Sequence, residues 1–324
     1  MKVRFHLPDF ARLARFNLLF ISMLESSPEL FRDGVEIASV YGAFPPSIWN
    51  GGRLQYGTYD KNFIRGVIRA YQDKGIPLRF TFTNPMLEEK HLSDPFCNMI
   101  MRAADNGLNE CIVFSPLLED YIRKNYPNYK LTSSTCKRIT DAEQLYSEFE
   151  KDYHIIVLDY DLNHETDILE KIPHKEKCEI LVNPCCNPNC PNRSMHYQEI
   201  GLEQIAVANH YKRFPNTAYH SRDFMRKHPE FAPVFSCNCE TRTLFDITKL
   251  KNHITPDEIW NKYVPMGFTQ FKIEGRTFDL FNLLEHYLYY MAKPERKDEA
   301  RLSFLRNLML HRILDFYDGS TLVK

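Results

Sequence analysis

Short apolar runs rich in β-branched residues alternate along this chain with longer stretches whose apolar positions recur every three or four residues. These are the patterns of buried strands and of one-sided helices. Strands are predicted at residues 35–41, 76–83, 110–115, 130–136, 154–160, 178–182, 234–236 and 268–273, with residues 1–34 read as an N-terminal segment carrying a helix near 10–24. In the fifth strand Ile155, Ile156, Val157 and Leu158 stand in a row, as expected where a parallel strand is covered on both faces. Helices are predicted over 61–74, 96–106, 117–126, 141–151, 164–171 and 279–291, with a C-terminal helix over 295–324. Gly75 and Gly107 supply helix stops, and Thr255-Pro256-Asp257-Glu258 is a capping box that opens another helix.

Eight strands alternating with helices close into a barrel or lie in an open doubly wound sheet. No glycine-rich dinucleotide loop follows the first predicted strand, so a single (β/α)8 TIM-like barrel spanning 1–324 is expected. Its irregular part is a long cysteine-rich loop region over 184–240, expected to fill the loops after the sixth and seventh strands.

Composition narrows the function classes. Basic and acidic residues number 41 and 42, a formal net charge of -1, so no global field draws the chain to nucleic acid or to an anionic membrane. The apolar stretch 18–24 is too short to span a bilayer. A cytoplasmic location is expected, where nine cysteines point to metal or catalytic use and not to disulfides.

Five of those cysteines fall in two polar, turn-rich segments: Cys185, Cys186 and Cys190 in one, Cys237 and Cys239 in the other. Crowded thiolates repel unless a cation gathers them, and soft thiolate donors select zinc or an iron–sulfur cluster. The spacing half fits a zinc knuckle and matches no common ferredoxin run. Cys97, Cys111, Cys136 and Cys178 lie in helix or strand patterns and are expected in the core.

Asn183 followed by Cys186-x3-Cys190-Pro191, Arg193 and His196 resembles a signature of the U32 collagenase-like peptidase family, as do residues 254–258 and the run Phe271-Lys272-Ile273-Glu274-Gly275-Arg276. Tyr41-Gly42 and the turn at Asn84-Pro85 are looser echoes. The resemblance implies a barrel with a [4Fe-4S] cluster held by Cys186, Cys190, Cys237 and Cys239, with Cys185 the rival for the last place. It also implies oxygen-independent hydroxylation or related redox chemistry on a small molecule or an RNA base, with an electron donor protein as partner. The family's peptidase label, a hydrolase, and a metal-stapled binding protein without catalysis are the alternatives. No H-E-x-x-H helix and no serine elbow supports hydrolysis.

Other candidates follow from position. Lys272, Glu274 and Arg276 share one side of the eighth strand and form either a carboxylate clamp or an internal ion pair. Arg193 and His196 are expected to serve the metal site or to cap its loop. Tyr41, Asn84 and Asn183 are candidate substrate contacts at strand ends. Asp159 and Asp161 are either an acid–base pair or a solvated loop.

Overall fold

The computed structural model describes residues 2–314, so part of the predicted C-terminal helix, 315–324, lies outside the described residues. Eight parallel strands close into a barrel in chain order: β1 Val3–Pro8, β2 Val35–Gly42, β3 Leu78–Phe82, β4 Glu110–Val113, β5 Lys130–Ser133, β6 Ile155–Val157, β7 Cys178–Leu181 and β8 Gln270–Lys272. β1 and β8 pair directly and complete the ring.

The barrel is as expected, but two strands differ. Residues 3–8, read as part of a helical N-terminal segment, form β1, in which Val3, Phe5 and Leu7 are buried on one side and His6 on the other. Three apolar residues interleaved with Arg4, His6 and a terminal proline are too short a pattern to stand out. The expected strand at 234–236 is instead the helical turn Ala232–Phe235. Val234 there packs with Phe224 and Phe231 in a small separate cluster against Met195 and Leu202 of the helix Arg193–Arg213. A short apolar run cannot by itself tell a strand from a buried helical turn. Both cysteine segments therefore belong to one long excursion between β7 and β8.

Local signals account for the helices. Asp60 accepts the backbone N–H groups of Asn62 and Phe63 (2.8 and 3.0 Å), starting the helix Lys61–Asp73, which buries Ile64, Val67, Ile68 and Tyr71. Gly75 ends it at a φ of 66°. The Thr255–Glu258 capping box is closed in both directions. No helix among the described residues is long and apolar enough to cross a membrane.

The barrel's interior is charged. Arg79 on β3 is fully buried and pairs with Glu179 on β7, with Glu110 on β4 (3.2 Å) and with the Thr132 hydroxyl on β5 (3.0 Å). Lys272 on β8 reaches Glu179 (3.3 Å). His6 lies 2.9 Å from an Arg79 nitrogen through Nδ1 and 3.0 Å from the Gln270 carbonyl through Nε2. Since a guanidinium only donates, Nδ1 accepts and the proton sits on Nε2. Burial, first of all, pushes the imidazole down to about 3, so it is neutral at pH 7. Glu179 is pushed up by burial, but Arg79, His6 and Lys272 outweigh that and hold it below the ordinary carboxylate range. A salt-bridged plug thus fills the barrel beneath its mouth.

Candidate active site at the barrel mouth

Above that plug, at the C-terminal strand ends, lies a cavity of about 90 Å³, on the face where barrel chemistry sits. Three groups of residues build it.

The thiols come from the β7–β8 excursion. Cys185 and Cys186 diverge, as adjacent side chains do in extended backbone. Cys185 is buried, its sulfur accepting from Arg53 (3.0 Å) and its backbone N–H bonding Glu274 (3.0 Å). Cys186 is half-buried and interacts with Cys239 instead. That interaction, then burial, raises the Cys186 thiol, while the same interaction first, with help from Cys237 and Arg242, brings Cys239 down to about 5. Cys237 is raised by burial and stays exposed, and Cys190 is half-buried beside Cys186. Arg242 ties the segments together by donating to the Cys185 carbonyl (2.6 Å) and to Asn187 (2.8 Å). Cys97, Cys111 and Cys178 are core residues as expected, whereas Cys136, also expected there, is half-buried in the cavity wall.

The cations come from the barrel. Lys272, Glu274 and Arg276 do share the inward side and all line the cavity, but each has its own partner. Lys272 is spent on Glu179 and sits 4.1 Å above the Tyr41 ring. Burial lowers its pKa, opposed by Glu179. Glu274 pairs with Arg53, which also faces Glu240 at 3.8 Å. Arg276 donates to Asn50 Oδ1, Thr81 Oγ1 and the Gly51 carbonyl (3.0, 3.0 and 2.9 Å). The loop carrying Gly51 and Gly52 comes this close because both lack a Cβ. One on Gly51 would sit 2.5 Å from the Thr83 carbonyl, and one on Gly52, at φ 73°, 3.1 Å from Arg276.

The third group is the helix Arg193–Arg213. Arg193 is buried against Asp159 and Asp161 and stacks 4.1 Å over Tyr160. The two aspartates, weighed as an acid–base pair or a solvated loop, are thus neither: they are buried anchors for this arginine. His196 lines the cavity with Glu199 3.9 Å away, and burial first, then Arg53, pushes it down to about 4.

Three expected substrate contacts part company here. Tyr41 does line the cavity, its hydroxyl donating to the Ile273 carbonyl (2.7 Å). Asn183 clips β7 to β8 by exchanging two hydrogen bonds with the Glu274 backbone (3.0 and 2.6 Å). Asn84 joins the Ile48 and Gly201 carbonyls (2.7 and 2.9 Å). Neither asparagine lines the cavity. Sequence reasoning passed over Arg53, Cys136, Thr135, Tyr160, Tyr197 and Glu240, which do. For Arg53 a signal existed, since Asn50-Gly51-Gly52-Arg53 is a glycine pair beside a cation in a strand-to-helix loop.

Among the described residues, no group of three His, Cys, Asp or Glu side chains is gathered tightly enough to hold a single metal ion.

No family model matches the chain. It is similar to an uncharacterized protease of Methanocaldococcus jannaschii, 23% identical over 268 residues that cover 78% of this chain and 79% of that protein. A solved U32 peptidase structure aligns over 84% of this chain and 92% of its own, at a TM-score of 0.45 and 12% identity.

Proposed function

We propose that this protein is a cytoplasmic, U32-like iron–sulfur enzyme that carries out redox chemistry on a small molecule at the barrel mouth. The reading rests on one observation above the others. Six thiols lie at or beside the cavity. Cys185, although it too feels Cys239, is committed by hydrogen bonds to Arg53 and Glu274, which leaves Cys186, Cys190, Cys237 and Cys239 to take a metal. Soft thiolates suit both zinc and iron–sulfur; the resemblance of Cys186-x3-Cys190-Pro191, Arg193 and His196 to the U32 signature favours the cluster. Cys186, Cys190, Cys237 and Cys239 are the assigned ligands, with a [4Fe-4S] cluster as the cofactor. Bound there, it supplies electron transfer beside the cavity.

The chain's own residues do the rest. Tyr41, Tyr160 and Tyr197 wall the cavity. His196, neutral at pH 7 because its pKa lies near 4, accepts a proton without first having to lose one. The protease name of the similar archaeal protein raises hydrolysis as a second reading. A thiol protease needs its nucleophile paired with a base, and here Cys185 is hydrogen-bonded by an arginine, so the redox reading takes precedence.

Single alanine substitutions test the assignment. Cys186→Ala and Cys239→Ala should each abolish or greatly reduce bound iron and sulfide, and Cys185→Ala should leave both near the wild-type level. Retention of full cluster content in Cys186→Ala, or its loss in Cys185→Ala, would show the ligand set to be wrong.

A further inference from the structure

The cavity's cations are not equally satisfied. Arg53 has Glu274 and Glu240, Lys272 has Glu179, and Arg193 has Asp159 and Asp161. Arg276 has no carboxylate within ion-pair distance among the described residues; its partners are an amide, a hydroxyl and a backbone carbonyl, all neutral. Asp9, the acid nearest in influence, is engaged by Arg12 at 3.0 Å. A guanidinium has five N–H donors, and three contacts to neutral acceptors leave part of the fork unspent. Arg276 is only partly exposed at the mouth, and holding such a charge largely away from solvent without an opposite one is costly.

Two further groups beside it are also unspent. The Thr135 hydroxyl is buried without a hydrogen-bond partner, and so are Nε and Nη1 of Arg193, although Arg193 itself is ion-paired. Both residues line the same cavity as Arg276. Arginine Nε atoms stand unpartnered at Arg32, Arg79, Arg138 and Arg296 as well, so the Thr135 hydroxyl is the distinctive donor here, and a buried donor left unmade costs about 1–3 kcal/mol.

We infer that the mouth binds a small organic carboxylate, its carboxylate on the free edge of Arg276 with the Thr135 hydroxyl as a further donor. This deepens the redox reading by naming its substrate class, and rests on it for the chemistry that follows binding. A carboxylate is favoured over phosphate because Arg53, Arg193 and Lys272 are already ion-paired. Arg276 is thus left to balance one negative charge, which a carboxylate carries and a phosphate near neutral pH exceeds. Of the three residues that β8 presents, Arg276 is the one free to act, since Lys272 and Glu274 are closed ion pairs.

The test uses succinate and inorganic phosphate as probes, titrated by calorimetry into full-length protein purified without oxygen, with iron and sulfide measured on each sample. Succinate should bind saturably, and Arg276→Met should weaken it at least tenfold at unchanged cluster content. Thr135→Val should weaken it severalfold. Arg276→Met should melt no lower than wild type without ligand, because it removes an uncompensated charge; a melting point well below wild type would make Arg276 a structural clamp and overturn the proposal. Binding of phosphate in preference to succinate would overturn the carboxylate class. Binding of neither, or of succinate only after the metal is stripped, would overturn the site, the second result making the cluster itself the arginine's counter-charge. Should the protein hold no cluster yet bind succinate through Arg276, the redox reading fails while the anion site stands.

Discussion

The plug inside the barrel and the cavity directly above it are made of the same kinds of residue yet differ in how their charges are met. In the plug, Arg79 and Lys272 face Glu179 and Glu110, and His6 is neutral between Arg79 and Gln270. In the cavity, Arg276 has only neutral acceptors. Single atoms without a hydrogen bond occur in both regions, Arg79 Nε, Glu110 Oε2 and Glu179 Oε1 in the plug and Thr135 Oγ1 at the mouth, so the difference lies in the opposite charge that Arg276 lacks. Charges sealed from solvent during folding need opposite charges within the chain. Groups at a strand end that faces a cavity can be completed by something the chain does not contain. The first arrangement holds the barrel closed, and the second leaves one cation at the mouth without an opposite charge.

The sharpest way to break this comparison is to unbalance the plug. Glu179→Gln leaves Arg79 and Lys272 short of a shared carboxylate. A loss of about 3–5 kcal/mol in denaturant unfolding is expected, the range for breaking one side of a buried pair. A loss under 1 kcal/mol would mean the interior is hydrated. Next in size is Gly201→Val on the helix Arg193–Arg213. A Cβ there would lie 2.5 Å from the Asn84 side chain and 2.8 Å from Pro85, and overpacking of this kind costs about 1–3 kcal/mol. Because the same helix carries Arg193 and His196, succinate binding should weaken alongside stability.

Acid and base should separate the two regions. His6 is held near 3, far below 6.5, so the unfolded chain takes up a proton that the plug refuses. Stability therefore falls as pH drops from about 6.5 toward 3. Glu199, buried beside Glu203, is pushed up to about 8, by burial first and by Glu203 next. There the folded state holds the proton more tightly than the unfolded chain. That contribution is complete below the ordinary 4.5 and is lost as pH rises toward about 8. Melting temperatures of Glu199→Gln across pH 5–9 should flatten the alkaline limb and leave the acid limb alone. An unchanged alkaline limb would place the proton elsewhere. The smallest effect belongs to Arg276→Met, whose unliganded stability should match or slightly exceed that of wild type.

Much of this molecule is legible from sequence because each feature has a local cause. Gly75 and the Thr255–Glu258 box end and begin helices through interactions a few residues long, and the run Ile155–Leu158 announces a strand covered on both faces. What stayed hidden is set by distant partners. Residues 3–8 become a strand because β2 and β8 flank them, and Val234 is helical because it packs on the helix that also carries His196. Asn84 and Asn183, which look like strand-end contacts, are consumed by backbone groups far along the chain. Arg53 reaches the mouth only because two glycines let its loop fold over Arg276.

The most direct test is the iron and acid-labile sulfide content, with a visible spectrum, of protein purified without oxygen. The account predicts about four irons and four sulfides per chain, with a broad absorption that dithionite bleaches. Stoichiometric zinc without sulfide, or protein free of metal after anaerobic purification and attempted reconstitution, would contradict it.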